Sequence, residues 1–330
     1  MATQTASSRK SLLLLISQHP ELGVIASFSI IALAFLVISP DKFPTPSTLY
    51  SILTLAGELG VTSIGVAFLM ITGEFNLSVG SVYALVPMFV VLMVDAGMDM
   101  LLASVIMLSV AFGIGVLTGY ITVRTGIPSF ITSLGMMMFL RGILLAITGG
   151  FPVRLEGSHW LTDVLNGAVG VEGLRTSAAW LLALTLIFLI ILDYTPYGNW
   201  TYAVGASPAT ARELGVKVWR VKLVNFGISS LLAGLAGLMA LSRFKIVDPT
   251  LGQGLELEAI TSAVLGGCLL TGGYGSIFGT FLGALLVALT RVGLVLAGAP
   301  AYWYSAFIGV ILIIATIINT YVVRKFVTSG

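Results

Sequence analysis

Followed for the alternation of apolar and polar positions, the chain is a series of long apolar runs separated by short polar stretches. A helix needs about 20 apolar residues to cross about 30 Å of hydrocarbon. On that rule ten stretches qualify: roughly 22–39, 49–72, 79–94, 100–123, 129–148, 177–193, 221–241, 257–270, 276–297 and 302–322. The eighth is short and glycine-rich, which predicts a re-entrant or broken helix. The pattern therefore predicts an all-α integral membrane protein of about ten transmembrane helices. It divides into a cytoplasmic N-terminal segment over 1–20 and one transmembrane domain over 21–325. Within the first segment, Leu12–Ile16 is too short for a span and ends in SQHPE; no small-x-small cleavage pattern follows the next run. Residues 11–18 read as an interfacial segment and 22–39 as a retained first span.

Composition agrees. Of 330 residues, 57% are hydrophobic and 9% charged, against about 25% charged in soluble domains. A water-soluble globule is excluded. The net charge of +2, with no basic cluster interleaved with aromatics, excludes a nucleic-acid partner. Cys268 lies alone in an apolar run, and His19 and His159 are far apart, so neither a disulfide, a metal site nor a bound cofactor is expected. No G-x-x-x-x-G-K-[ST] occurs, so the chain cannot cradle a nucleotide in a P-loop. Energy for any uphill work comes from another subunit or from an ion gradient, and no catalytic cluster argues for an enzyme.

Lysine and arginine set the orientation. With the N-terminus inside, Arg9, Lys10, Arg124, Arg212, Lys217, Arg220, Lys222, Arg324 and Lys325 face the cytoplasm, while Lys42, Arg154, Arg175, Arg243 and Lys245 face outward. An even number of spans then puts both termini in the cytoplasm.

Three features carry candidate chemistry. The first is Ile71–Leu85, ITGEFNLSVGSVYAL, where Gly73 and Gly80 permit sharp turns among Glu74, Asn76, Ser78 and Ser81. Polar groups and irregular backbone at membrane depth are tolerated where protein or a water-filled path satisfies them. The stretch reads either as a surface loop or as a broken helix on a translocation pathway. It has a weak echo in Thr271–Thr280, another glycine-rich turn. The second is the inward loop 194–222, where Ser207 is an N-cap, Pro208 the first helical residue and Gly215 the C′ residue of a short helix among four basic side chains. It reads as a positive-inside anchor or as a lever for a cytosolic motor. The third is charge inside the spans. Glu58 and Arg141 fall at similar depth and form a candidate ion pair, while Arg291 faces an aqueous vestibule or snorkels outward. The outward loop 149–176 reads as a connector, with a partner-docking role as the alternative. Gly115/Gly119, Gly275/Gly279/Gly283 and Ser229/Ala233/Gly237 form small-residue faces for close helix packing.

Four segments carry a family resemblance. ITGEFNLSVGSVYAL, GIPSFITSLGMMMFLRGI, YAVGASPATARELGVKVWRVK and LEAITSAVLGGCLLTGGYGSIFGTFLGALL occur in that order over about 50–290. They resemble the permease subunits of bacterial ABC-type sugar importers of the ribose-transport kind. The resemblance implies a vitamin B12-permease-like bundle in the bacterial inner membrane. Two permease copies, a homodimer or a paralogous heterodimer, would work with cytosolic ATPase subunits and a periplasmic binding protein, surrounded by membrane lipid. It implies that Ser207, Ala211, Arg212, Glu213, Leu214 and Gly215 meet the ATPase. A neutral sugar needs hydroxyl and amide partners, so Thr72, Asn76, Ser78, Ser81 and Thr271, with Glu74 and Phe75 beside them, are the expected pathway. Glu74, Asn76 and Ser207 depart from the family's usual glycine, aspartate and asparagine, which puts the cargo in question. Nucleosides and a furanosyl signal molecule are alternatives; branched-chain amino acids rank lower, because their permeases usually carry a histidine in the stretch that resembles Gly73–Ser81. An ion-coupled transporter using Glu58 is the competing class.

Overall fold

In the computed structural model, residues 20–170, 173–300 and 302–327 are described, and the proposed interfacial segment 11–18 lies outside them. Each of the ten apolar stretches holds a helix: α1 Pro20–Ile38, α2 Pro46–Met70, α3 Val79–Asp95, α4 Met100–Thr125, α5 Ser129–Thr148, α7 Thr176–Tyr194, α10 Val218–Phe244, α11 Leu255–Leu265, α12 Ile277–Leu296 and α13 Tyr302–Val327. Three short helices lie between them: α6 Trp160–Asn166, α8 Pro196–Ala206 and α9 Pro208–Glu213. Six of the described helices (α2, α4, α5, α7, α10 and α12) are long and apolar enough to cross a membrane. α11 has 11 residues and ends in the irregular 266–276 stretch, as its glycines predict.

Helix ends follow local chemistry. The Asp99 carboxylate accepts from the N–H groups of Leu101 and Leu102 to cap α4, and Gly126 closes that helix with φ +73°. Ser276 caps α12 through the Gly279 N–H. These side chains and left-handed residues answer the orphan donors and acceptors that every helix end leaves.

Burial sorts the helices into a centre and a rim. The most apolar windows of α2 and α10 are 89% and 72% buried, whereas those of α4, α5 and α7 are 33%, 17% and 33% buried. α2 and α10 lie antiparallel at the axis of the bundle, with α12, α3 and α4 packed around them. The rim helices turn Leu102, Val105, Phe130, Phe139, Leu186 and Ile190 outward. Such a surface is tolerable only against lipid or another apolar body.

The small-residue faces work as the sequence predicts. α4 meets α10 where Gly115 and Gly119 lie against Phe226, and a Cβ at Gly115 would overlap the Phe226 carbonyl. α11 meets α12 where Gly279 and Gly283 lie against the backbones of Gly266 and Ser262.

The 149–176 loop carries structure of its own. β1 (Val153–Arg154) pairs antiparallel with β2 (Ile246–Val247), and α6 packs on α10 toward its C-terminal end. Asn166, at the end of α6, is 1% exposed and reaches the centre of the bundle.

The glycine contact yields a test. Gly115→Ala should cost about 1–3 kcal/mol, since overpacking against a backbone carbonyl cannot relax through a rotamer change. Gly113→Ala, two residues away and facing open space, should leave stability unchanged or slightly higher. Equilibrium unfolding in mixed micelles measures both, and equal behaviour of the two variants would contradict the packing.

Candidate functional site

α2 ends at Met70, and the chain turns through Thr72 and Gly73, whose φ is +80°. The Thr72 hydroxyl donates to the Leu69 carbonyl at 2.6 Å, completing the last turn. The segment then climbs back along α10. Glu74 forms an ion pair with Lys222, while the Asn76 amide donates to Ser230 Oγ at 3.0 Å. Those two α10 residues lie ~12 Å apart along the helix axis. α3 therefore begins level with the middle of α10, inside the bundle.

Asn76 organises this start. Its Oδ1 accepts from the Ser78 N–H at 3.1 Å and from the Ser78 hydroxyl at 2.6 Å. Ser129 Oγ accepts from the Phe75 N–H at 3.0 Å, and the Ser81 hydroxyl donates to the Met137 carbonyl at 2.8 Å. Thr72, Asn76, Ser78 and Ser81 are all buried. Of the stretch, Glu74 lines a cavity of about 500 Å³ shared with Ser129, Arg212, Lys217, Trp219 and Lys222. The structure thus gathers most of the predicted pathway residues into a closed hydrogen-bonded knot. Thr271 stands apart, exposed on the second turn.

The two glycine turns touch. The Gly273 N–H donates to the Ile71 carbonyl at 2.8 Å, and a Cβ on Gly272 would lie 2.6 Å from Gly73 Cα. α8 closes over both: Gly205 is so near the Ile71 carbonyl that any side chain there would overlap it. Tyr202 donates to the Gly275 carbonyl at 2.9 Å. α9 follows directly and is capped as predicted, with Ser207 Oγ accepting from the Thr210 N–H at 3.3 Å, Pro208 first in the helix and Gly215 at φ +85°. Ala211 is buried beneath it, while Arg212, Glu213, Leu214 and Gly215 are exposed.

At the opposite end of α10 the expected Glu58–Arg141 pair is absent. Glu58 instead bonds Arg243 at 2.9 Å and accepts from the Asn166 amide at 3.0 Å. Arg141 donates to the carbonyls of Pro249 and Leu251 at 2.5 and 2.9 Å, fastening the 248–254 loop against α3. The physical reason is helix placement: α2 packs on α10, whose last turn carries Arg243, whereas α5 packs on α3 and α4. Sequence depth alone could not separate these neighbours. Arg243, read as a loop residue, and Asn166, hidden in a polar loop, were the missed partners.

Around that pair lies a cavity of about 230 Å³, lined among others by Tyr83, Leu251, Gln253, Glu258, Arg291 and Tyr304. Arg291 is half exposed and stands 3.8 Å from Glu258, which fits the vestibule alternative for Arg291. No group of His, Cys, Asp and Glu among the described residues is arranged to hold a metal.

Two outcomes follow from the geometry. Glu58→Leu should cost about 3–5 kcal/mol by stranding the Arg243 guanidinium, and adding Arg243→Leu should recover most of it; a double-mutant cycle in micelles reads the coupling, and simple additivity would refute it. Asn76→Leu should cost about 1–3 kcal/mol because Ser78 and Ser230 lose their partner, so membrane levels should fall together with uptake. Unchanged levels with lost uptake would return Asn76 to a pathway role.

Comparison with known proteins places the chain by sequence. The family described as "Branched-chain amino acid transport system / permease component" matches residues 48–316. The ribose import permease of Escherichia coli strain K12 is 32% identical, covering 97% of this chain and 99% of its own. That of Bacillus subtilis strain 168 is 30% identical over 91% of this chain and 92% of its own. The xylose/arabinose import permease of Sulfolobus acidocaldarius is 29% identical over 90% and 84%. No solved structure matches. With a family match across most of its length and near-complete coverage of the ribose permease, this chain belongs to the permease-component family of ABC-type importers, in its ribose-permease-like group.

Proposed function

We propose that the chain is the membrane-spanning subunit of an ATP-driven importer for a monosaccharide or related polyol. It would cross a bacterial inner membrane ten times in a vitamin B12-permease-like bundle, with both termini cytoplasmic. Two copies would stand on cytosolic ATPase subunits and receive cargo from a periplasmic binding protein. The pentose import permeases at 29–32% identity over nearly the whole chain support a sugar cargo. The family description favours a second reading, a branched-chain amino acid.

One observation carries the coupling half of this reading. α8 and α9 form a short lever: Gly205, at their junction, rests on both glycine turns, and the far end of α9 shows Arg212, Glu213 and a Leu214 that is 76% exposed. An apolar side chain so exposed beside two opposite charges suits a partner surface rather than water. A partner that closes on its nucleotide and pushes α9 would press on Ile71 and Gly273, and through them on the starts of α3 and the 266–276 stretch. The ion-coupled alternative draws less support, since Glu58 is engaged by both Arg243 and Asn166.

Replacing Arg212→Glu together with Glu213→Arg in the assembled importer tests the lever. Uptake should be abolished and ATP hydrolysis should lose its stimulation by loaded binding protein, with the permease still present in the membrane at normal level. Normal uptake in that variant would refute the assignment.

A further inference from the structure

The cavity at the outer end of α10 is an expensive thing to build. Two acids and Arg243 are withdrawn among helices, where charges are retained chiefly for function, and Arg291 stands at the mouth. Glu58, Arg243, Glu258 and Arg291 are the only charged residues in its lining and sum to zero, two acids against two guanidinium groups. The two pairs differ in character. Arg243 and Glu58 are held at 2.9 Å with Asn166 behind them, and their side chains are 18% and 6% exposed. Arg291 and Glu258 stand at 3.8 Å, with Arg291 half exposed. One pair is a fixed wall; the other is longer and has one partner open to solvent. Arg243 Nε is also buried and bonded to nothing among the described residues.

Neutral groups complete the lining. Tyr83 and Tyr304 bring phenols and ring faces, and the Arg291 guanidinium sits 5.0 Å over the Tyr304 ring. At about 230 Å³ the space is smaller than the ~300–1,000 Å³ that drug-sized ligands occupy.

We infer that this cavity is a binding site within the permease for a small neutral polyhydroxylated solute of pentose size, with Glu58 and Arg243 fixing its orientation and Glu258 and Arg291 opening to admit it. The inference rests on the sugar reading above and adds the place and the chemistry of recognition. Each hydroxyl can donate to a carboxylate and accept from a guanidinium, so a polyol bridges both pairs without splitting the fixed one. Aromatic rings cover the C–H face of such a solute. A free anion or cation meets a lining with no net charge to welcome it and strands one member of a pair. A zwitterionic amino acid must separate carboxylate from guanidinium to be bound by both.

The test uses the full chain in lipid nanodiscs with Gln253→Cys as reporter, an exposed residue of the lining. A membrane-impermeant thiol reagent labels it, while native Cys268 is buried and silent. Ribose, xylose or arabinose should slow labelling roughly threefold at about twice its Kd, where two-thirds of sites are filled. Ribonate, glucosamine and leucine should not. In the same background, Glu258→Gln leaves a surplus positive charge and should let ribonate protect; Arg291→Gln leaves a surplus negative charge and should let glucosamine protect. A purely structural ion pair would give no such opposite shifts. Absence of protection by all three pentoses, protection by leucine instead, or protection indifferent to both substitutions would overturn the site. ATP-driven pentose uptake by the assembled importer is measured alongside: uptake without protection removes the site alone, and loss of that uptake removes the sugar reading as well.

Discussion

In hydrocarbon there is no water for a carbonyl or a charge to turn to, and that single constraint accounts for most of what is unusual in this bundle. Where α2 stops early, Thr72 returns a hydroxyl to Leu69 and Gly273 supplies an N–H to Ile71. Where α3 starts late, Asn76 and Ser78 occupy the space beside Ser230. Arg141 donates to two loop carbonyls and, at 3.4 Å, to the Gly80 carbonyl of α3. Irregular backbone is present because each departure from helix is met by a named partner.

Local signals in the sequence were read correctly where the physics is local. Ser207, Pro208 and Gly215 specify one helical turn from its own ends, and the structure has it. Gly73 marks a left-handed turn, and Gly115 with Gly119 marks a close crossing, because only a missing Cβ permits either. The ten apolar runs likewise locate ten helices to within a few residues. What failed was pairing across distance. Glu58 and Arg243 are 185 positions apart, and their meeting depends on α10 lying beside α2.

The broken-helix residues teach a subtler lesson. Hydroxyls and amides suit both a solute pathway and the repair of an interrupted helix, so residue type at Asn76 or Ser78 cannot separate the two. Burial weighs toward repair, since both side chains are closed in and already bonded, and the Asn76→Leu variant decides. Conversely, Tyr83, Glu258 and Tyr304 lie far apart in the sequence, and only the tertiary arrangement brings them around one cavity.

The seat of Gly205 against Ile71 and Gly273 has a mechanical consequence. Since α2 leads into one interrupted region and α11 into the other, both hang from a common fulcrum. Under the proposed coupling, a stroke delivered there would not swing one and spare its twin. The two would travel in step, which disfavours a half-turned intermediate through which solute could slip backward.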